Sequence, residues 1–207
     1  MKILVTGFDP FGGQSVNPAY EAVSRLPDQI GDVQILKAQI PTVYEHGADL
    51  LEQLMETDAP DSILLVGQAG GRAKISVERV AINIQDASIA DNAGNQPVDQ
   101  PVVEGGPAAY FATIPVKQIT RDIQDAGIPC AVSDSAGTFV CNDLMYRMLH
   151  YINTHRLSAT GGFIHVPFLP EQALSDAVPS MPLDMIIQAL QVALKTIISS
   201  FDASRLL

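Results

Sequence analysis

Cys130-Ala131-Val132-Ser133, a short β-like run, leads through Gly137-Thr138-Phe139-Val140-Cys141-Asn142 into a helical pattern carried by Leu144, Met145, Met148, Leu149 and Ile152. A strand, a glycine turn and a helix in direct succession are the building unit of an α/β fold, and the change of hydrophobic period marks the joins. Cys141 falls in the opening turn of the helix. Unpaired amide N–H groups and the positive end of the helix dipole meet there, which favours thiolate over thiol and supplies donors for an anionic intermediate. That is a place for a nucleophile. A free cysteine is also commonly a small buried hydrophobe, so Cys141 alone settles nothing.

Working outward, the same unit recurs. Lys2 to Gly7 reads as a strand buried on both faces and stops at glycine, before the loop Phe8-Asp9-Pro10-Phe11-Gly12-Gly13. That loop lacks Gly-Lys-Ser/Thr and the GxGxxG spacing, so neither a phosphate loop nor a dinucleotide turn is present. Asn17-Pro18 offers an N-cap and a proline at the first helical position, opening a helix to about Leu26. Val33 to Gln39 is a second strand. Thr42-Val43-Tyr44-Glu45 has the form of a capping box ahead of Leu50, Leu51 and Leu54, and Asp58-Ala59-Pro60 ends that helix. Ser62 to Val66 is a strand that again ends at glycine, Gly67. Val116, Ile119, Ile123 and Ala126 mark a helix capped by Gly127, Gly161 to Pro167 is the last strand, and Leu183 to Phe201 is a long amphipathic closing helix. The alternation predicts a single-domain α/β/α sandwich with a mostly parallel sheet.

Two stretches are less regular. Ile75 to Ile84 is β-branched with a short period, which puts Glu78 on the face of Val80 and Ile82. A carboxylate in apolar company needs a partner such as a histidine imidazolium, unless the strand is an edge and Glu78 is solvated. Gln85 to Gly106 is rich in Asp, Asn, Gln, Gly and Pro without a period, and reads as a functional or interface loop.

Composition narrows the classes. The chain has 207 residues, 47% of them hydrophobic, enough for one sizeable core. A net charge of −11 without a basic stripe argues against nucleic acid or an anionic membrane as partner. No apolar run is expected to reach the ~18 to 20 residues of a membrane span, and the expected location is the cytoplasm. Two cysteines make no disulfide framework, and neither CxxC nor HExxH occurs, so no metal or other cofactor is expected.

In an open parallel sheet, sites form beyond the carboxyl ends of the strands. Phe8 to Gly13, Gln68 to Gly71, Ser135 to Cys141 and His165 fall at or just past such ends. A thiol nucleophile requires a base, and the base an orienting partner; Cys141, His165 and Glu78 supply the three types. Cys130, His46, His150 and His155 read as packing or surface residues.

These residues also carry a resemblance. Gly7 to Gly13, Gly67 to Arg72, Glu78 to Asn83, Gly105 to Ala109, Ala136 to Asn142 and Gly161 to Pro167 resemble, in order, blocks of the bacterial pyrrolidone-carboxylate peptidases, or type I pyroglutamyl peptidases. The resemblance runs from Ile3 to about Pro182. It implies a cytoplasmic cysteine peptidase that removes an N-terminal pyroglutamyl residue from peptides, commonly as a homotetramer, with Cys141, His165 and Glu78 as catalytic residues. One departure is Asp86-Ala87-Ser88-Ile89-Ala90-Asp91-Asn92, where Ser88 stands in place of an Arg that can lie near the catalytic centre. That touches electrostatic stabilisation rather than the nucleophile.

A pyroglutamyl ring is a neutral lactam with one N–H, one C=O and apolar methylenes. Phe8, Phe11 and Phe139 can wall it, Gln68 and backbone near Val140 can meet its polar atoms, and Asn17 joins this candidate substrate-binding set. Two other readings compete: a ligand-binding α/β domain that has lost turnover with Ser88, and, on fold alone, a nucleoside-phosphorylase-like transferase without a visible phosphate site.

Overall fold

Lys2–Phe8 forms β1, and Asn17 caps α1 (Pro18–Ser24) by accepting the Ala19 amide, with Pro18 at the first helical position. There follow β2 (Gln29–Ile30), β3 (Val33–Ile40), α2 (His46–Asp58), β4 (Ser62–Gln68), β5 (Ile75–Glu78), β6 (Val80–Ile82) and β7 (Ala109–Phe111). The chain closes with α3 (Val116–Asp125), β8 (Cys130–Ser133), α4 (Val140–Thr154), β9 (Thr160–Val166) and α5 (Leu183–Ser204). This computed structural model describes residues 1–174 and 178–204.

The main sheet has seven strands in the order β2-β3-β1-β4-β9-β5-β8, and β6 pairs with β7 in a separate ribbon. β3, β1, β4 and β9 run parallel; β5 and β8 are parallel to each other but antiparallel to β9. The fold is therefore the expected mostly parallel α/β sheet, with the direction reversed at the short edge strand β2 and again at β5 and β8. Strand alternation gives each face its own core. Ile3, Val5, Leu64, Val66, Ile75, Val77, Ile164 and Val166 meet α1, α3 and α5 on one face, while Leu4, Ile63, Leu65 and Phe163 meet α2 and α4 on the other.

Three expectations are corrected. Ile75 to Ile84 is not one strand: the Arg79 N–H stays with the main sheet on Ser133 O at 2.8 Å, while its C=O accepts from Ala112 beside the ribbon, at 2.9 Å. Alternation is lost at that crossing, so Glu78 does not share a face with Val80 and Ile82. The capping box at Thr42 does not form. Its hydroxyl and amide both donate to Asp9 Oδ1 at 2.7 Å, and α2 starts four residues later behind Glu45, at a positive φ of 57° without a side-chain cap. A tertiary acceptor has outcompeted a local one. Finally, α5 is long and apolar enough to cross a membrane by length and composition, with mean hydropathy 1.2 over Leu183–Phe201. Its apolarity is spent inside the fold, where Ile186, Ala189, Leu190, Ala193, Leu194 and Ile197 are wholly buried.

The irregular segment from 85 to 106 is pinned rather than loose. Asp91 accepts from the amides of Tyr44, Ala93 and Asn95, and Asn92 donates to Pro10 O at 2.9 Å. Thr138 and Asp86 exchange two bonds, Asp86 N–H to Thr138 O at 3.0 Å and Thr138 Oγ1 to Asp86 O at 2.7 Å. The segment thus holds together the loops after β1, β3 and β8.

Candidate active site

His165 is the penultimate residue of β9, and its Nδ1 lies 2.8 Å from Glu78 Oε1 on the antiparallel neighbour β5. The reversed register makes this possible: Ser76 pairs with His165 and Glu78 with Phe163, so Glu78 and His165 are diagonal neighbours on one face. Glu78 is 0% exposed, so it is the partnered carboxylate and not a solvated edge residue. With Nδ1 donating to the carboxylate, Nε2 is left as the basic nitrogen.

Cys141 reaches the same face by close packing. Gly67 pairs with His165 across β4 and β9, and a methyl group on Gly67 would stand 2.9 Å from Cys141 Sγ and 2.7 Å from the Phe163 ring. Any side chain there would push the thiol off the sheet, so the glycine is required by the approach of α4. Gly137, at a φ of +79°, makes the turn that leads into that helix. Asn142 then locks α4 down, accepting from Ile82 N–H and donating to Ile82 O and Ile84 O at 2.9 to 3.0 Å. Phe139 is the N-cap residue and offers no side-chain acceptor; the Asn142 and Asp143 amides bond to its carbonyl, which leaves the Val140 and Cys141 amides at the helix start to meet a substrate oxygen.

The electrostatics differ from the helix-start expectation. Burial, reinforced by the Glu78 charge, pushes the Cys141 thiol up to about 12, against the opposing pull of Arg72 and its own backbone N–H. Burial also lowers the His165 imidazole more than Glu78 raises it. The resting pair is therefore neutral thiol and neutral imidazole. Burial alone would raise the Glu78 carboxyl, but His165, Ser133 and Arg72 together hold it below its ordinary value.

The candidate substrate residues separate into groups. Phe139 stacks at a tilt on Phe11, centroids 6.0 Å apart, and edge-on to Tyr44 at 5.6 Å, forming an aromatic wall beside Val140 and Cys141. Phe8 is buried behind it and packs against Phe163, which in turn lies 4.6 Å from the His165 ring. Gln68 and Asn17 are not brought to the thiol. Alternation turns Gln68 to the face opposite Gly67, where its Oε1 accepts from Gln172 at 2.9 Å, and the Asn17 amide is consumed by the α1 cap and by Asp9 O at 2.8 Å. Ser88 is exposed, and its chain neighbour Ile89 lies against Gly12.

Sequence reasoning missed Arg72, whose Nη1 lies 2.7 Å from Glu78 Oε1, and the locking role of Asn142. Arg72 depends on the reversed strand β5, and Asn142 on the separate β6 ribbon, neither of which local sequence discloses. Among the described residues no cluster of three or more His, Cys, Asp or Glu could hold a metal ion. A cavity of about 460 Å³ lined by Met55, Ile63, Tyr151, Leu157 and Phe201 opens at the other end of the strands, away from these groups.

A thiol at a helix start, packed on the sheet face that carries an imidazole held by a buried carboxylate, is the arrangement of thiol-dependent hydrolases. Within that class the pyroglutamyl peptidase family model matches residues 1–200. A pyrrolidone-carboxylate peptidase of Thermosipho africanus is 51% identical over 203 residues, covering 98% of this chain and 99% of that one. One of Bacillus thuringiensis is 52% identical over 195 residues, 93% of this chain and 91% of the other. The crystal structure of the pyroglutamyl peptidase I from Bacillus amyloliquefaciens superposes with a TM-score of 0.92 at 49% identity, covering 95% and 94% of the two chains. The chain belongs to the pyroglutamyl peptidase family.

Proposed function

We propose that this protein is a cysteine exopeptidase that hydrolyses the N-terminal pyroglutamyl residue from peptides, with Cys141 as nucleophile, His165 as base and Glu78 as orienter. The observation that carries the residue roles is the single buried face shared by Glu78, His165 and Gly67, with Sγ packed on that glycine. Family membership supports the substrate class. As Cys141 attacks the pyroglutamyl carbonyl, its proton passes to His165 Nε2, and the imidazolium so formed is stabilised by the Glu78 carboxylate. Free amides at the start of α4 hold the oxyanion, His165 returns the proton to the leaving amine, and water cleaves the thioester.

The wall of Phe11 and Phe139 suits the lactam methylenes, and backbone at Val140 its polar atoms, with Phe8 as backing. Gln68 and Asn17 serve this pocket through the loops they hold. Matched pyroglutamyl and prolyl amide reporters test the reading. A prolyl ring lacks the lactam C=O and carries an ammonium, and a desolvated lactam site rejects such an analogue by on the order of 10⁴. Comparable kcat/KM for the two reporters would overturn the lactam pocket.

The whole chain is read as one catalytic domain that works in the cytoplasm as a homotetramer. Large apolar side chains at the surface, Phe111 at 69% and Val98 at 67% exposed, fit an associating protein. Sedimentation equilibrium giving a monomer would remove the tetramer.

A further inference from the structure

Two strong donors address Glu78 through one oxygen, His165 Nδ1 at 2.8 Å and Arg72 Nη1 at 2.7 Å both on Oε1, with Ser133 beside them, and Oε2 has no hydrogen-bond partner among the described residues. A carboxylate fully withdrawn from water stays ionised only beside a compensating charge or several donors. His165 gives a donor, but before reaction it gives no charge. Arg72 is the formal cation on this carboxylate. The guanidinium is itself held at three points, since Nη1 also reaches Ser133 Oγ at 3.4 Å and Nη2 donates to Ser135 O at 3.2 Å. Ser133 ends β8, and Ser135 lies in the turn that delivers Cys141. One planar fork thus spans the orienting carboxylate and the segment carrying the nucleophile, a geometry that a single ammonium cannot reproduce.

We propose that Arg72 is a positioning residue of the catalytic centre, keeping Glu78 ionised and fixed through Oε1 while His165 is neutral, and tying that carboxylate to the turn that aims Cys141. This rests on the hydrolase reading above. The charged groups acting on His165 are Glu78 from β5 and Arg72 from the loop before it, while Cys141 from α4 packs on Gly67, the pairing partner of His165, with Tyr44 beyond Cys141. Of these Arg72 alone brings a permanent positive charge. Its removal raises the proton affinity of His165 and moves the acid limb of the rate profile to higher pH.

The test uses the full chain with Arg72→Gln, Arg72→Met and Arg72→Lys, reading kcat and KM on a pyroglutamyl amide and the pH dependence of Cys141 alkylation by iodoacetamide. The neutral variants should lose about 10- to 100-fold in kcat with KM within about threefold. Their acid limb should move upward in both assays, and Arg72→Lys should restore the limb and part of kcat. Gln and Met make the same prediction, so whichever folds decides, and alkylation counts intact sites in each preparation. A neutral variant with kcat within about threefold of the parent, an unmoved acid limb, or a lysine variant no better than glutamine would each overturn the proposal. Failure of the parent protein to cleave pyroglutamyl amides would instead sink the functional reading, while the alkylation profiles still report on Arg72.

Discussion

The two faces of the sheet are built from the same strands and do different work. On the face covered by α1, α3 and α5, the strands present Ile3, Val5, Leu64, Val66, Ile75, Val77, Ile164 and Val166, and Cys130 packs among them as another apolar residue. On the face covered by α2 and α4, the next residues along the same strands include Gly67, Glu78 and His165. Val77 and Glu78 are consecutive, as are Ile164 and His165, so one step along the backbone separates core from chemistry. The apolar face can hold the strands rigid while the other carries a buried carboxylate, an imidazole and a thiol at one edge. On the proposed roles of these residues, stability and reactivity are divided between faces of one sheet.

The two cysteines give the sharpest way to break this division. Cys141→Ala should abolish turnover, a loss above about 10⁴ in kcat, and leave Tm nearly unchanged, because its sulfur contributes chemistry more than core volume. Cys130→Ala should leave kcat within about twofold and destabilise by roughly 1 kcal/mol through a small cavity. If the Cys130 variant lost rate and the Cys141 variant lost only stability, the faces would be wrongly assigned.

A smaller effect is expected at the orienter. Glu78→Gln should lower kcat by about 10²-fold, less than loss of Cys141 or His165, since an amide still holds the ring but not the imidazolium charge. Equal losses at all three positions would give Glu78 a more direct role. The pH profile belongs to the same face. Burial lowers the His165 value below 6.5, so the acid limb of kcat/KM should lie below the ordinary imidazole range, and a limb above it would contradict the neutral resting pair. Both His165 and Glu78 bind protons more weakly folded than unfolded. Their contribution to stability is therefore lost as the pH falls, first through the ordinary imidazole value and then through the lowered carboxyl value.

Asp143, on the reactive side and 2% exposed, has the opposite sign. Burial raises it from 3.8 to about 6, only partly offset by Gln85 and Arg147, so its ionisation destabilises the fold as the pH rises through that value. Asp143→Asn should raise stability at neutral pH by up to about 3 kcal/mol, with the gain fading in acid. Thermal unfolding at two pH values reads this directly, and a gain that persisted in acid would point to packing instead. Least of all, Ser88→Arg should leave the fold intact and raise kcat by about threefold at most if a guanidinium at this rim steadies developing negative charge. An unchanged or lower rate denies the position that role.

Much of this organisation was legible in the chain. β1, β3, β4, β9 and the helix after Gly137 follow from hydrophobic period and glycine stops, and Cys141 with His165 stood out because both fall at junctions. What could not be read was strand direction. Nothing local to Ile75 or Cys130 says that β5 and β8 oppose β9, yet that reversal places Glu78 beside His165 and lets Arg72 reach it. The Thr42 cap failed for a related reason, because its competitor Asp9 is 33 residues away. At the thiol two local effects compete: the helix start favours thiolate, but packing against the sheet at Gly67 and the Glu78 charge oppose it.

The most direct test of Cys141 as the nucleophile is a titration with iodoacetamide, in which residual activity on a pyroglutamyl amide is plotted against modification of each cysteine, mapped by mass spectrometry. Activity should fall in proportion to the fraction of Cys141 alkylated, with Cys130, buried on the apolar face, unmodified throughout. Inactivation with Cys141 intact, or full turnover with Cys141 alkylated, would contradict it.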